Sequence, residues 1–139
     1  IGEGEEKKNV LKLIKELKLD KKVFLLGFQN NVYSYLQNCK CFFLSSLWED
    51  PGYVLIEAAM ANAAIISSNC PNGPSEILEY GKSGYLFESN NLEDFSSKFE
   101  DFLSSNNSQL YAKKLSAKKS IKIYTIFGHY KYLKKYLNL

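Results

Sequence analysis

Two carboxylates eight residues apart, Glu49 and Glu57, stand in the stretch WEDPGYVLIEAAM, from Trp48 to Met60. The second lies inside a run of valine, leucine, isoleucine and alanine that otherwise reads as core. An ionised side chain withdrawn from water without partners costs on the order of several kcal/mol, so Glu57 must face solvent, find donors or hold a ligand. Pro51 and Gly52 mark the start of the helix that carries Glu57, and a helix start leaves the N–H groups of Gly52, Tyr53 and Val54 without intrahelical partners. Those amides, with the helix dipole behind them, make an anion site suited to phosphate. A carboxylate one turn further in can accept from two neighbouring hydroxyls, as on a ribose, and Glu49, before the helix, can reach another part of the same ligand. On spacing alone, two solvated carboxylates or caps of local amides account for the pair as well.

The elements that must position these residues follow from periodicity. EEKKNVLKLIKELK, residues 5–18, places Val10, Leu11, Ile14 and Leu17 at helical spacing, and VFLLG reads as a short buried strand. NNVYSYLQN reads as helix, CFFLSS as strand, GYVLIEAAMAN as helix and AAIISS as strand. GPSEILEYG has proline where a first helical turn accepts it, GYLF is a short strand, and NNLEDFSSKFEDFLSS is an amphipathic helix with an asparagine cap and early acids. Short apolar strands alternating with helices imply an α/β fold, a doubly wound parallel sheet, because parallel strands need crossover helices. Ligands bind such sheets outside the carboxyl ends of the strands. That rule selects the loops GEG, GFQNN, SSLWEDPG and SNCPNGP.

Composition narrows the remaining choices. With 45% hydrophobic and 24% charged residues the chain is an ordinary globular one, and no apolar run reaches the roughly 20 residues that span a bilayer. Cys39, Cys41 and Cys70 lack metal spacing and form no C-x-x-C, so free thiols in a reducing, cytoplasmic setting are expected. GEG, residues 2–4, lacks the third glycine of a dinucleotide fingerprint, and the only histidine, His129, reads as structural or exposed. All fifteen acidic residues lie between Glu3 and Asp101, whereas eight lysines follow residue 110. Residues 108–139 are therefore read as basic C-terminal helices, the last with Ile126, Tyr130, Leu133 and Leu137 sharing one face, expected to lie against an upstream domain or an acidic membrane, and with Lys131, Lys134 and Lys135 near water or an anionic surface. The first residues, IGEG, read as the end of a strand entering a glycine turn, so a fragment is expected.

In order, residues 1–87 resemble the nucleotide-sugar-binding half of the family 4 glycosyltransferases, which have the GT-B fold. The hallmark of that family is a glutamate, seven residues and a second glutamate, matched here by Glu49 and Glu57 within WEDPGYVLIEA; NCPNGPSEILEYGKSGYLF matches the strand, loop and helix that follow. The resemblance implies retaining transfer of a sugar from a nucleoside diphosphate sugar, with no cofactor and no essential metal. It makes Glu49 the catalytic residue, at the donor sugar, and counts as substrate-binding Asp50, the amides of Gly52, Tyr53 and Val54 at the distal phosphate and sugar, Glu57 at the ribose hydroxyls, and Gly27 and Phe28 near the base. It further implies that residues 1–139 are a single donor-binding domain lacking its first part, and that an upstream domain holds a glycan or lipid-linked acceptor. The whole enzyme would be cytoplasmic, with peripheral contact at the anionic inner membrane surface and no nucleic-acid partner. Asp50 and Pro51 replace the glycine and aromatic residue commonly found there, and Asn62 with Ala63 replaces a small-residue and glycine pair. The rival readings are a flavodoxin-like regulatory domain without catalysis and an epimerase of the same architecture.

Overall fold

The computed structural model describes residues 1–138, so the expected helical tail is described up to Asn138 and Leu139 lies outside it. The chain divides into two compact units, one from Ile1 to Val32 and one from Tyr33 onward.

In the first unit, α1 (Lys7–Glu16) begins at Glu6 without a side-chain cap and ends in a left-handed turn at Lys18, where Leu19 N–H returns to the Ile14 carbonyl. Ile14 is its buried residue, whereas Val10, Leu11 and Leu17 are exposed, so most of the expected apolar stripe is uncovered. Val23–Leu26 form no strand, contrary to the reading of VFLLG. A strand needs a hydrogen-bonded neighbour to satisfy its backbone. Gly2 N–H donates to the Gly27 carbonyl at 2.8 Å, but no ladder forms along Val23–Leu26, and Phe24 is left 67% exposed.

The second unit opens with α2 (Tyr33–Asn38) and is built on three parallel strands in chain order, β1 (Phe42–Leu44), β2 (Ile65–Ser68) and β3 (Tyr85–Phe87). α3 (Tyr53–Met60) joins the first two strands; α4 (Pro74–Ile77) and a tight helical turn, Glu79–Gly81, join the last two. α5 (Leu92–Ser104), α6 (Asn107–Ser120) and α7 (Ile126–Tyr136) follow. β2 is buried along its whole length, as the central strand of a sheet covered on both faces must be. One face carries Phe43, Ile66, Tyr85 and Phe87 against Phe95, Phe99 and Phe102 of α5, with Phe87 and Phe95 edge to face at 5.2 Å between ring centres. α3 packs on the other, contributing the fully buried Leu55 and Ala58.

Local sequence explains how these helices start and stop. Asn91 caps α5 by accepting from the Asp94 N–H, and Asn106 with Gln109 forms a reciprocal capping box on α6. α3 ends at Asn62, φ 64°, with Ala63 N–H bonded to the Ala58 carbonyl and Asn62 N–H to that of Ala59. Asparagine tolerates this left-handed position better than most side chains. α6 is pinned to the sheet's entry by Lys113, whose ammonium donates to the carbonyls of Gly81 and Gly84 and lies 4.7 Å from the Tyr85 ring centre. Partial burial there holds its pKa below the usual lysine value.

Candidate functional site

The loop after β1 and the first turn of α3 hold Glu49, Asp50, Gly52, Tyr53, Val54 and Glu57 in one continuous segment. Gly52 is the N-cap, buried and left-handed at φ 82° and ψ 47°, a conformation glycine reaches without strain. No side chain caps this helix. Leu55 N–H bends back to the Gly52 carbonyl at 2.9 Å, whereas Gly52, Tyr53 and Val54 N–H groups donate to no backbone carbonyl among the described residues. The expected set of unpaired amides is therefore present at the start of an otherwise apolar helix.

The two carboxylates differ in how they are held. Glu49 is half-buried; its Oε1 accepts from the Ser46 hydroxyl at 2.5 Å, and its side-chain carbons lie over Gly52, 3.6 Å from where a Cβ would stand. Ser46 is fixed in turn, since the buried Ser68 hydroxyl at the end of β2 donates to the Ser46 carbonyl at 2.6 Å. A chain of two hydroxyls thus couples the central strand to Glu49. Glu57 is half-buried one turn into α3, on the same face as Tyr53, and no side chain donates to its carboxylate among the described residues. Asp50 is exposed and precedes Pro51 through a cis peptide bond.

The loop is buttressed from the next strand end. Glu49 N–H donates to the Pro71 carbonyl at 3.3 Å, and Gly73, φ 121°, comes so close to Pro51 that a Cβ at 73 would lie 2.0 Å from its carbonyl oxygen. Sequence reading selected SNCPNGP as a loop near the ligand; here its role is to support the neighbouring loop. Gly73 was read from the sequence either as a ligand contact or as a plain turn, whereas Ser46 and Ser68 went unremarked as site residues. The available signal was a serine three residues before the first glutamate and an Asn-Gly turn at a strand end.

Gly27 and Phe28 belong to the first unit. Gly27 is left-handed at φ 64°, and a Cβ there would meet the Glu3 carboxylate at 2.7 Å; Phe28 is exposed, and Gln29 donates to the Leu26 carbonyl. His129, on α7, lines a cavity of about 500 Å³ with Tyr53, Tyr124 and Tyr130.

Comparison with known proteins bears out the resemblance read from the sequence. A family model described as glycosyl transferases group 1 matches residues 1–119. Poly(ribitol-phosphate) alpha-N-acetylglucosaminyltransferase of Staphylococcus aureus is 30% identical over 138 residues, 99% of this chain and 27% of that protein. The Campylobacter jejuni N-acetylgalactosamine-N,N'-diacetylbacillosaminyl-diphospho-undecaprenol 4-alpha-N-acetylgalactosaminyltransferase is 40% identical over 91 residues, 66% of this chain and 25% of that protein. Among solved structures, a Staphylococcus aureus TarM mutant with Fondaparinux, alpha-GlcNAc-glycerol and UDP superposes at TM-score 0.81 and 27% identity, covering 97% of this chain and 27% of the other. The chain spans about a quarter of the length of these relatives. Its parallel sheet, its paired glutamates and a family match over most of its length agree: the chain belongs to the group 1 glycosyl transferases.

Proposed function

We propose that this chain is the donor half of a retaining glycosyltransferase, binding a nucleoside diphosphate sugar whose sugar passes to a glycan or lipid-linked acceptor held by a separate domain. The observation that carries the reading is the pairing of unpaired amides at Gly52, Tyr53 and Val54 with an open carboxylate, Glu57, one turn further in. A diphosphate needs donors and a positive dipole end, and a ribose needs an acceptor for adjacent hydroxyls; a single helix supplies both at fixed separation. Glu49, oriented by Ser46, sits where it can accept from the donor sugar as the bond from the anomeric carbon to the diphosphate breaks. Backbone amides then carry the developing charge on the leaving diphosphate, with no essential metal in the scheme.

The TarM crystal contains UDP, and the name of the Campylobacter enzyme specifies a diphospho-undecaprenol acceptor; both support this class of donor and acceptor. A melting experiment tests it. UDP or GDP at about 100 times its Kd should stabilise the chain by about 2.7 kcal/mol, a rise of several degrees. A melting temperature unmoved by any nucleoside diphosphate would favour the regulatory-domain reading instead.

A further inference from the structure

The tight turn Glu79–Gly81, between α4 and β3, holds three successive residues at positive φ: Glu79 at 49°, Tyr80 at 54° and Gly81 at 90°. Glycine reaches that region freely, whereas a tyrosine held there is strained. The ring of Tyr80 is 83% exposed, so its packing offsets little of the strain. The conformation is imposed by its surroundings. Glu79 accepts from the hydroxyls of Ser83 and of Ser116 on α6, Ser83 N–H returns to the Leu78 carbonyl, and Lys113 clamps the carbonyls of Gly81 and Gly84. A strained residue that its neighbours over-determine, with its side chain set in solvent, points to a use for that side chain.

Tyr80 lines a cavity of about 520 Å³ whose other walls include Tyr85 at the start of β3, Lys98 and Asp101 of α5, and Gln109 and Lys113 of α6. That volume suits a small ligand. Both lysines are already engaged: Lys98 lies 3.9 Å from Asp94 and from Asp101, and Lys113 is occupied by the two carbonyls and the Tyr85 ring. A phosphate would therefore find no unpaired cation in the wall, and an apolar ligand would meet polar side chains on most of it. The groups left over are mixed. Asp101 can accept, the Gln109 amide can donate through its nitrogen because its oxygen takes the Asn106 N–H at 2.9 Å, and the Tyr80 hydroxyl can do either. An exposed aromatic face beside such a set fits a pyranose, which presents C–H groups on one face and hydroxyls that both donate and accept at its edge.

We propose that this cavity is a second carbohydrate site, holding one pyranose of a neutral oligosaccharide against Tyr80 at the end of the sheet opposite the donor loops. In a parallel sheet Glu49 and Pro71 follow the carboxyl ends of β1 and β2, whereas Tyr85 opens β3. An acceptor domain that serves the donor loops faces that other end and leaves this cavity open, a step that rests on the donor reading. The cavity itself lies within residues 80–113 and uses no donor-site residue. A glycan long enough to reach both ends would stay tethered between transfers.

The experiment is an amide NMR titration of the chain with maltotriose, with chitotriose and, for comparison, with inorganic phosphate. Either trisaccharide at millimolar concentration should shift the backbone amides of Gly81, Gly84 and Gln109. Tyr80→Phe keeps the ring and should keep the binding, whereas Tyr80→Gly should weaken it roughly 10-fold. Glycine also relieves the left-handed strain, so Tyr80→Gly should melt no lower than the wild type and respond to UDP as the wild type does. No shift with either trisaccharide, shifts with phosphate alone, or sugar binding undiminished in Tyr80→Gly would each overturn the proposal. Sugar shifts in a chain whose melting temperature no nucleoside diphosphate moves would uphold this site and remove the donor reading.

Discussion

Gly73 and Pro51 stand backbone to backbone across two strand-end loops, close enough that a Cβ on residue 73 would lie 2.0 Å from the Pro51 carbonyl oxygen. The supporting loop therefore sets where Gly52 and the α3 amides sit. Gly73→Ala meets both a forbidden contact and a φ of 121°, and should cost about 1–3 kcal/mol of stability. It should also weaken UDP binding, because relief of the clash moves Pro51. A variant that melts and binds UDP like the wild type would show that the two loops are not coupled.

The paired carboxylates should separate by ligand. Glu57→Ala is expected to lower affinity for free UDP or GDP by roughly 10- to 100-fold, with Glu57→Gln between it and wild type. Glu49→Ala should leave free diphosphate affinity intact and reduce affinity for the sugar nucleotide. Isothermal calorimetry on the three proteins decides; unchanged UDP affinity in folded Glu57→Ala would return that glutamate to solvent.

Ser46 and Ser68 should act through Glu49. Ser46→Ala removes the donor to Oε1, so it should reproduce the Glu49→Ala pattern in weaker form, with free UDP binding unaffected. Ser68→Ala strips the buried hydroxyl from the Ser46 carbonyl and should cost about 1–2 kcal/mol of stability in addition. Equal loss of UDP and sugar-nucleotide affinity in Ser46→Ala would contradict this.

Removal of divalent metal should leave nucleotide binding unchanged. Amides and a helix dipole supply the positive potential in the proposed site, so UDP titrations in EDTA and in magnesium should superpose. A large loss in EDTA would require a metal that these residues do not account for.

Burial pushes the Cys41 thiol from its ordinary value near 9.0 up to about 12. It should stay protonated and unreactive toward thiol reagents in the folded protein at neutral pH. The unfolded thiol ionises first as pH rises, so the folded state binds the extra proton between about 9 and about 12 and stability declines across that window. Between about pH 9 and 12 the melting temperature of the wild type should fall more steeply than that of Cys41→Ala, which lacks this group; parallel curves across that window would contradict the shift.

The parts of this fold that local pattern specifies were legible. Phe42–Leu44, Ile65–Ser68 and Tyr85–Phe87 were visible as short apolar runs between turn signals, and the Asn91 cap and the Pro51-Gly52 helix start were readable from residue types. Val23–Leu26 have the same composition yet form no strand, because pairing depends on a neighbour that a local window does not contain. The stripe on α7 was equally clear in period, and its exposure followed from tertiary surroundings. In the site, the amides and Glu57 were legible since one helix fixes them all. Ser68 on Ser46 and Gly73 on Pro51 were not, since these contacts join residues 22 apart in sequence, counting from the serine pair, or depend on two loops meeting.

The order β1-β2-β3 repeats the order of the chain, so each strand pairs with the one made just before it. Closing each pair needs only a short crossover, which favours assembly during synthesis from the first strand onward. The aromatic cover is made late, however: Ile66 of the central strand is sealed by Phe95, Phe99 and Phe102 from the helix that follows the last strand. A growing chain therefore carries a paired but half-wet sheet until α5 emerges. Ribosome-arrested chains that stop before Phe95 should be protease-sensitive and bind hydrophobic dyes, and the same chains extended past Ser104 should abruptly cease to.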